Sequence, residues 1–112
     1  MTQFKCPAPI EKRLHEYCSS DNQAIEKLAL YVGMIQKWQT RINLVAPSTL
    51  PHIWERHILD SAQLFPLIGR DKAVIDLGSG GGLPGLVLAM LGVQHITLLE
   101  SDVRKTVFLR EV

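Results

Sequence analysis

The chain of 112 residues reads as an α/β protein, with helices first and then the opening of a Rossmann-like parallel sheet. Three observations carry that reading. Residues 20–69 place their apolar side chains at helical spacing. Beyond them, two short β-branched runs, AVIDLG and HITLLE, alternate with stretches of helical character. Between the first run and the next helix, VIDLGSGGGLPGL (74–86) collects five of the chain's eight glycines.

Composition sets the frame. Apolar residues make up 46% and charged residues 21%, a balance that folds rather than stays disordered. A net charge of +1 neither demands nor excludes a nucleic-acid partner, so any basic footprint must be local. Cys6 and Cys18 match no zinc or redox spacing and read as reduced thiols. The opening MTQFKCPAPIEKR lacks the apolar centre of a signal peptide. No apolar run approaches the roughly 20 residues that span a bilayer. The expectation is a cytoplasmic protein with no membrane and no metal partner.

Three units are expected. Residues 1–19 form a loose, proline-bearing lead-in with a short helix over Ile10–Cys18. Residues 20–69 form a helical extension. Ser20 and Gln23 fit a capping box, and Ile25, Leu28, Val32, Ile35 and Ile42, with Trp38 alongside, form one stripe to about Arg41. Core packing is the expected use of that stripe. The prolines of NLVAPSTLP break the helix. A second helix runs from Pro51 to about Leu67, with Ile53, Trp54, His57, Ile58, Ser61, Leu64 and Phe65 on its apolar face. Arg56 and Asp60, four apart, are placed to pair across one turn.

Residues 70–112 form the start of the sheet domain. AVIDLG is expected as a buried strand and LPGLVLAML as an apolar helix with Pro84 in its first turn. HITLLE is the second strand. A last helix is capped by Ser101 or Asp102, with Val103, Val107 and Phe108 as its stripe. Two parallel strands need more strands beside them and helices on both faces. The chain is therefore expected to hold the first half of a domain, truncated, whose incomplete sheet invites self-association.

A strand, a glycine loop and a helix N-terminus together bind nucleotide-like ligands at the carboxyl end of a sheet. Glu100 closes the second strand 18 residues after Gly82, about the distance at which an acid reaches ribose hydroxyls. Gly80-Gly81-Gly82-Leu83-Pro84-Gly85 satisfies the letters of the dinucleotide fingerprint, but its register is poor. The glycine that directly follows the strand is Gly78, and counting from it puts Leu83 where the third glycine belongs. Asp76 suits a cation and would repel a pyrophosphate. Asp76-x-Gly78-x-Gly80-x-Gly82 is the pattern of class I methyltransferases, which bind the sulfonium S-adenosylmethionine.

Further motifs accompany the loop in a fixed order. They are KW (37–38), NL (43–44), RHILDS (56–61), IDLGSGGGLPGLVLA (75–89) and TLLES followed by RKTVFL (97–109). Together they closely resemble the RsmG family, also called GidB, of bacterial 16S ribosomal RNA guanine-N7 methyltransferases. The resemblance covers roughly residues 20 to 112. It implies that the cofactor is S-adenosylmethionine, with Asp76, Gly78, Ser79, Gly80, Gly82, Leu83 and Glu100 as its binding residues. Gly78 and Leu83 match positions that touch it, Gly80 and Gly82 shape the loop, Asp76 lies near the methionine moiety and Glu100 at the ribose. It implies 16S rRNA or the small ribosomal subunit as partner. RHILDS matches a signature beside the active-site cleft. Either Arg56 or His57 is placed to face that cleft, while Arg56–Asp60 reads equally as a brace and His57 as packing. Arg104, Lys105 and Arg110 belong either to an RNA-facing surface or to a solvated helix face.

Guanine N7 carries a free lone pair and needs no deprotonation, so the enzyme's task is to align methyl and nitrogen and exclude water. No general base is evident, and no catalytic residue is assigned. Members of the family continue for about as many residues again. A non-catalytic truncated remnant is therefore one rival reading, and a nicotinamide-dependent oxidoreductase fragment is another.

Overall fold

The computed structural model describes residues 5–17, 22–69 and 71–112. Helix α1 (Ala8–Tyr17) begins earlier than expected and buries Ile10 and Leu14. The expected capping box at Ser20, and Cys18, lie outside the described residues. Cys6 is a buried free thiol, pushed up to about 11 by burial and, less, by the Glu11 carboxylate. It stays protonated and inert.

Helix α2 (Asn22–Trp38) buries Ile25, Leu28, Val32 and Ile35 on the expected stripe, together with Tyr31. It stops short of Arg41. Gln39 folds the following segment around its own side chain. Its Oε1 accepts the Leu44 and Val45 amides at 2.9 and 3.2 Å, and its Nε2 donates to the Val45 carbonyl at 2.8 Å. A side chain that satisfies three backbone groups of the turn makes further helix unnecessary. Ile42 is still buried, but from the turn.

The single helix expected from Pro51 to Leu67 is a chain of short coils instead. A 3-10 stretch (Pro47–His52) leads into a π-helical turn (Trp54–Leu59), then α3 (Asp60–Ala62) and α4 (Phe65–Ile68). Of the expected face, Ile53, Trp54, Ile58, Ser61 and Phe65 are buried and His57 is half-buried. Leu59 and Ala62 point inward, while Leu64, expected inward, is exposed. The expected Arg56–Asp60 pair does not form; Asp60 accepts the Gln63 side-chain amide at 2.7 Å. A basic residue N-terminal to its acid is the weaker orientation for an i,i+4 pair.

Strands β1 (Ala73–Leu77) and β2 (His95–Leu99) pair in parallel, Val74 opposite Ile96 and Asp76 opposite Leu98. Helix α5 (Gly85–Leu91) connects them, with Pro84 capping it rather than entering its first turn. Helix α6 (Val103–Glu111) is capped by Asp102, whose carboxylate accepts the Arg104 and Lys105 amides. Phe108 is fully buried against Tyr31 and Trp38, with ring centroids 6.5 and 5.5 Å away. That docking turns the expected stripe residues Val103 and Val107 outward. The helical extension and the βαβα segment thus share one core. β1 is only half buried: Ile75 and Leu77 are 64% and 75% exposed, and Leu99 of β2 is 49% exposed, all on the face away from α5.

Candidate functional site

The site grows from the carboxyl end of β1. Gly78, Gly80 and Gly82 take φ of 69°, 56° and 94°. This left-handed conformation favours glycine over any residue with a Cβ. The three fall on the Asp76-x-Gly-x-Gly-x-Gly spacing, whereas Gly85 has ordinary φ and is small for packing reasons. A Cβ on Gly85 would run into the Leu98 side chain and lie 2.8 Å from Asp76 Oδ2.

The loop is tied down at both ends. The Leu99 carbonyl accepts the Gly78 and Ser79 amides at 2.8 and 3.1 Å. Ser79 is buried, and its hydroxyl lies 3.2 Å from the Asp76 carbonyl. Asp76 Oδ2 accepts the Gly85 amide at 3.1 Å, so this acid caps α5 while its other oxygen has no hydrogen bond among the described residues. Glu100 bridges two segments: Oε1 accepts the Gly80 amide at 2.6 Å and Oε2 the Asp102 amide at 2.9 Å. Those two amides hold its carboxyl below the usual glutamate range. A carboxylate has about four lone-pair sites, so acceptor capacity remains for a ligand's hydroxyls.

Two residues from the helical extension support the loop from behind. The Tyr31 hydroxyl donates to the Gly81 carbonyl. Burial, with a smaller effect from Asp76, raises this phenol well above its usual range, so it stays a donor. Leu44 closes the space beside Gly81, where a Cβ would come within 3.1 Å. Tyr31 lies outside the stripe read from the sequence, and no role was expected of it. The available signal was chemical: a buried tyrosine hydroxyl needs a partner.

On the other side of the loop, a cavity of about 470 Å³ lies between the π turn and Leu83–Pro84. Arg56, His57, Asp60 and Gln63 line it. Both members of the Arg56/His57 alternative therefore reach the same cleft. Thr49 donates its single hydroxyl proton to the Ala46 carbonyl at 2.7 Å, so His57 must donate through Nε2–H to Thr49 Oγ1 at 2.7 Å. Burial depresses the His57 pKa, with Asp60 opposing and Arg56 assisting, and the ring is neutral at pH 7. Arg104 and Lys105 line a separate polar cavity of about 270 Å³ with Arg41, whereas Arg110 does not reach it. Among the described residues there is no metal-binding cluster and no helix long and apolar enough to cross a membrane.

Comparison with known proteins identifies the family. The family model GidB, rRNA small subunit methyltransferase G, matches residues 24–112. The chain is 55% identical over 116 residues to ribosomal RNA small subunit methyltransferase G of Rhodospirillum centenum, covering 100% of this chain and 53% of that protein. It is 56% identical to the protein of the same name from Paramagnetospirillum magneticum, covering 80% and 44%. With that of Rickettsia prowazekii it is 46% identical, covering 79% and 47%. The chain spans about half the length of the curated relatives it matches.

Proposed function

The chain belongs to the GidB family, rRNA small subunit methyltransferase G, and on that premise we propose that it forms the cofactor-binding half of an S-adenosylmethionine-dependent methyltransferase acting on guanine N7 of 16S rRNA in the cytoplasm. The observation that carries the reading is the left-handed Gly78, Gly80 and Gly82 series strung between two carboxylates, Asp76 and Glu100. Bare backbone allows close approach of a ligand. The open oxygen of Asp76 suits a cationic amino-acid tail, and the spare lone pairs of Glu100 suit ribose hydroxyls. A pyrophosphate in the same place would face both acids, which disfavours a nicotinamide dinucleotide. Gly78 and Leu83 line the ligand's path, while the buried Ser79 shapes the loop from within.

Bound S-adenosylmethionine supplies the electrophilic methyl group. The chain's own residues fix the loop through Leu99, Tyr31 and Glu100, so that the ligand is held without reorganisation of the backbone. Guanine N7 needs no base to activate it, and alignment together with exclusion of water is the main requirement. Arg41, Arg104 and Lys105 offer a local basic surface toward the RNA. Titration calorimetry with S-adenosylmethionine tests the loop assignment. Gly80→Val places a β-branched side chain at φ 56° and is expected to abolish binding; unchanged affinity would refute the assignment.

A further inference from the structure

The cavity beside the loop has chemistry that the cofactor does not use. At about 470 Å³ it falls in the roughly 300–1,000 Å³ range of small-molecule sites. Leu64, Leu67, Leu83 and Pro84 give it an apolar lining, and Arg56, Asp60 and Gln63 add polar groups. Arg56 makes no ion pair or hydrogen bond among the described residues, and Asp60 spends one oxygen on Gln63. A cation and an anion thus line one pocket without neutralising each other.

That combination selects a ligand. A phosphate would be drawn to Arg56 but repelled by Asp60. A flat, neutral group with an acceptor next to donors satisfies both, and the apolar lining suits its faces. Guanine has this edge: O6 accepts, and N1–H and N2–H donate. Adenine carries the reverse at the corresponding positions, with an amino group for O6 and a bare N1. The pocket also adjoins the cofactor loop directly. Leu83 and Pro84 line it, and the next residue, Gly85, gives its amide to Asp76.

We infer that this cavity receives the target guanine, splayed out of the RNA, with Arg56 donating to O6 and Asp60 accepting from N1–H and N2–H. Reading the Watson–Crick edge leaves N7 unengaged, as an attacking nitrogen must be. Single-stranded bases are commonly recognised on this edge. The inference rests on the methyltransferase reading and adds to it the residues that choose the base.

The test uses the 112-residue chain, labelled with nitrogen-15, and monitors the Arg56 side chain and the Leu83 and Gly80 amides by nuclear magnetic resonance. Guanosine 5′-monophosphate is expected to shift Arg56 and Leu83. Inosine 5′-monophosphate, which lacks the N2 amino group, should bind several-fold more weakly, and adenosine 5′-monophosphate at least tenfold more weakly. Arg56→Gln and Asp60→Asn, both at exposed positions, should each erase the preference for guanosine over adenosine. Equal responses to adenosine monophosphate or to inorganic phosphate, a preference that survives both substitutions, or no response at all would overturn the inference. A separate titration with S-adenosylmethionine reads the Gly80 amide. Response there without guanine selectivity removes the pocket alone, while guanine selectivity without that response removes the cofactor reading alone.

Discussion

The buried hydroxyl of Tyr31 in α2 donates to the carbonyl of Gly81, 50 residues further along the chain. One bond therefore ties the helical extension to the cofactor loop. Tyr31→Phe keeps the ring against Phe108 but leaves the Gly81 carbonyl buried without a partner. Such a loss costs about 1–3 kcal/mol. Urea denaturation should show a drop of that size, and hydrogen exchange at Gly80 to Gly82 should accelerate by more than the global loss explains. A uniform change across all amides would mean that Tyr31 stabilises the fold without positioning the loop.

Glu100 makes a second tie, between Gly80 and Asp102. The two amides lower its pKa from the ordinary 4.5, with the Asp102 amide the larger cause. Below pH 4.5 the unfolded chain takes up a proton that the folded chain resists, so stability falls as pH drops through the folded pKa. Above 4.5 the contribution is fully present. Glu100→Gln removes this dependence and sets an amide NH₂ against one backbone N–H. Thermal melts of both proteins from pH 3 to 7 should therefore converge on the acid side and separate near neutrality.

Much of this arrangement was legible in the sequence, and the reasons differ by element. The strand–loop–helix order, Asp102 as a cap and the α2 stripe follow from local periodicity and capping chemistry, which act within a few residues. The π turn at Trp54–Leu59 was not legible, because an apolar pattern averaged over an α-helical period hides one widened turn. Leu59 and Ala62 join the buried face there, and Leu64 leaves it. The exposure of Val103 and Val107 was also hidden, since it depends on Phe108 docking between Tyr31 and Trp38. The acids were identified as ligand contacts, but their bonds to Gly80, Gly85 and Asp102 need tertiary structure to be seen.

Two glycines should respond to alanine in different ways. At Gly78 no atom lies within 4 Å of a new Cβ, but φ is 69°. The cost is conformational, about 1–2 kcal/mol. At Gly85 the backbone is ordinary, and the Cβ meets Leu98 and Asp76. Separating β2 from α5 to relieve that contact costs typically 1–3 kcal/mol and breaks the Gly85–Asp76 bond. Denaturant midpoints should fall for both. Only Gly85→Ala should perturb the Leu98 methyl signals, and an unperturbed Leu98 would show that α5 does not rest on β2 through this glycine.

The sheet's outer face carries Ile75, Leu77 and Leu99, each at least half open to water or nearly so. Ile75 and Leu77 alternate on β1, and Leu77 stands opposite Leu99 in the register, so the three form one apolar strip. Burying such a strip gains roughly 25 cal/mol per Å², and a two-stranded sheet also offers unpaired edges to a second copy. Sedimentation velocity across a range of concentrations should show self-association of the chain. Replacing Ile75 and Leu77 together by threonine leaves both positions β-branched, as strands favour, while removing most of the apolar surface. That variant should sediment as a monomer with an unchanged far-ultraviolet circular dichroism spectrum. Association that persists unaltered would place the contact elsewhere on the molecule.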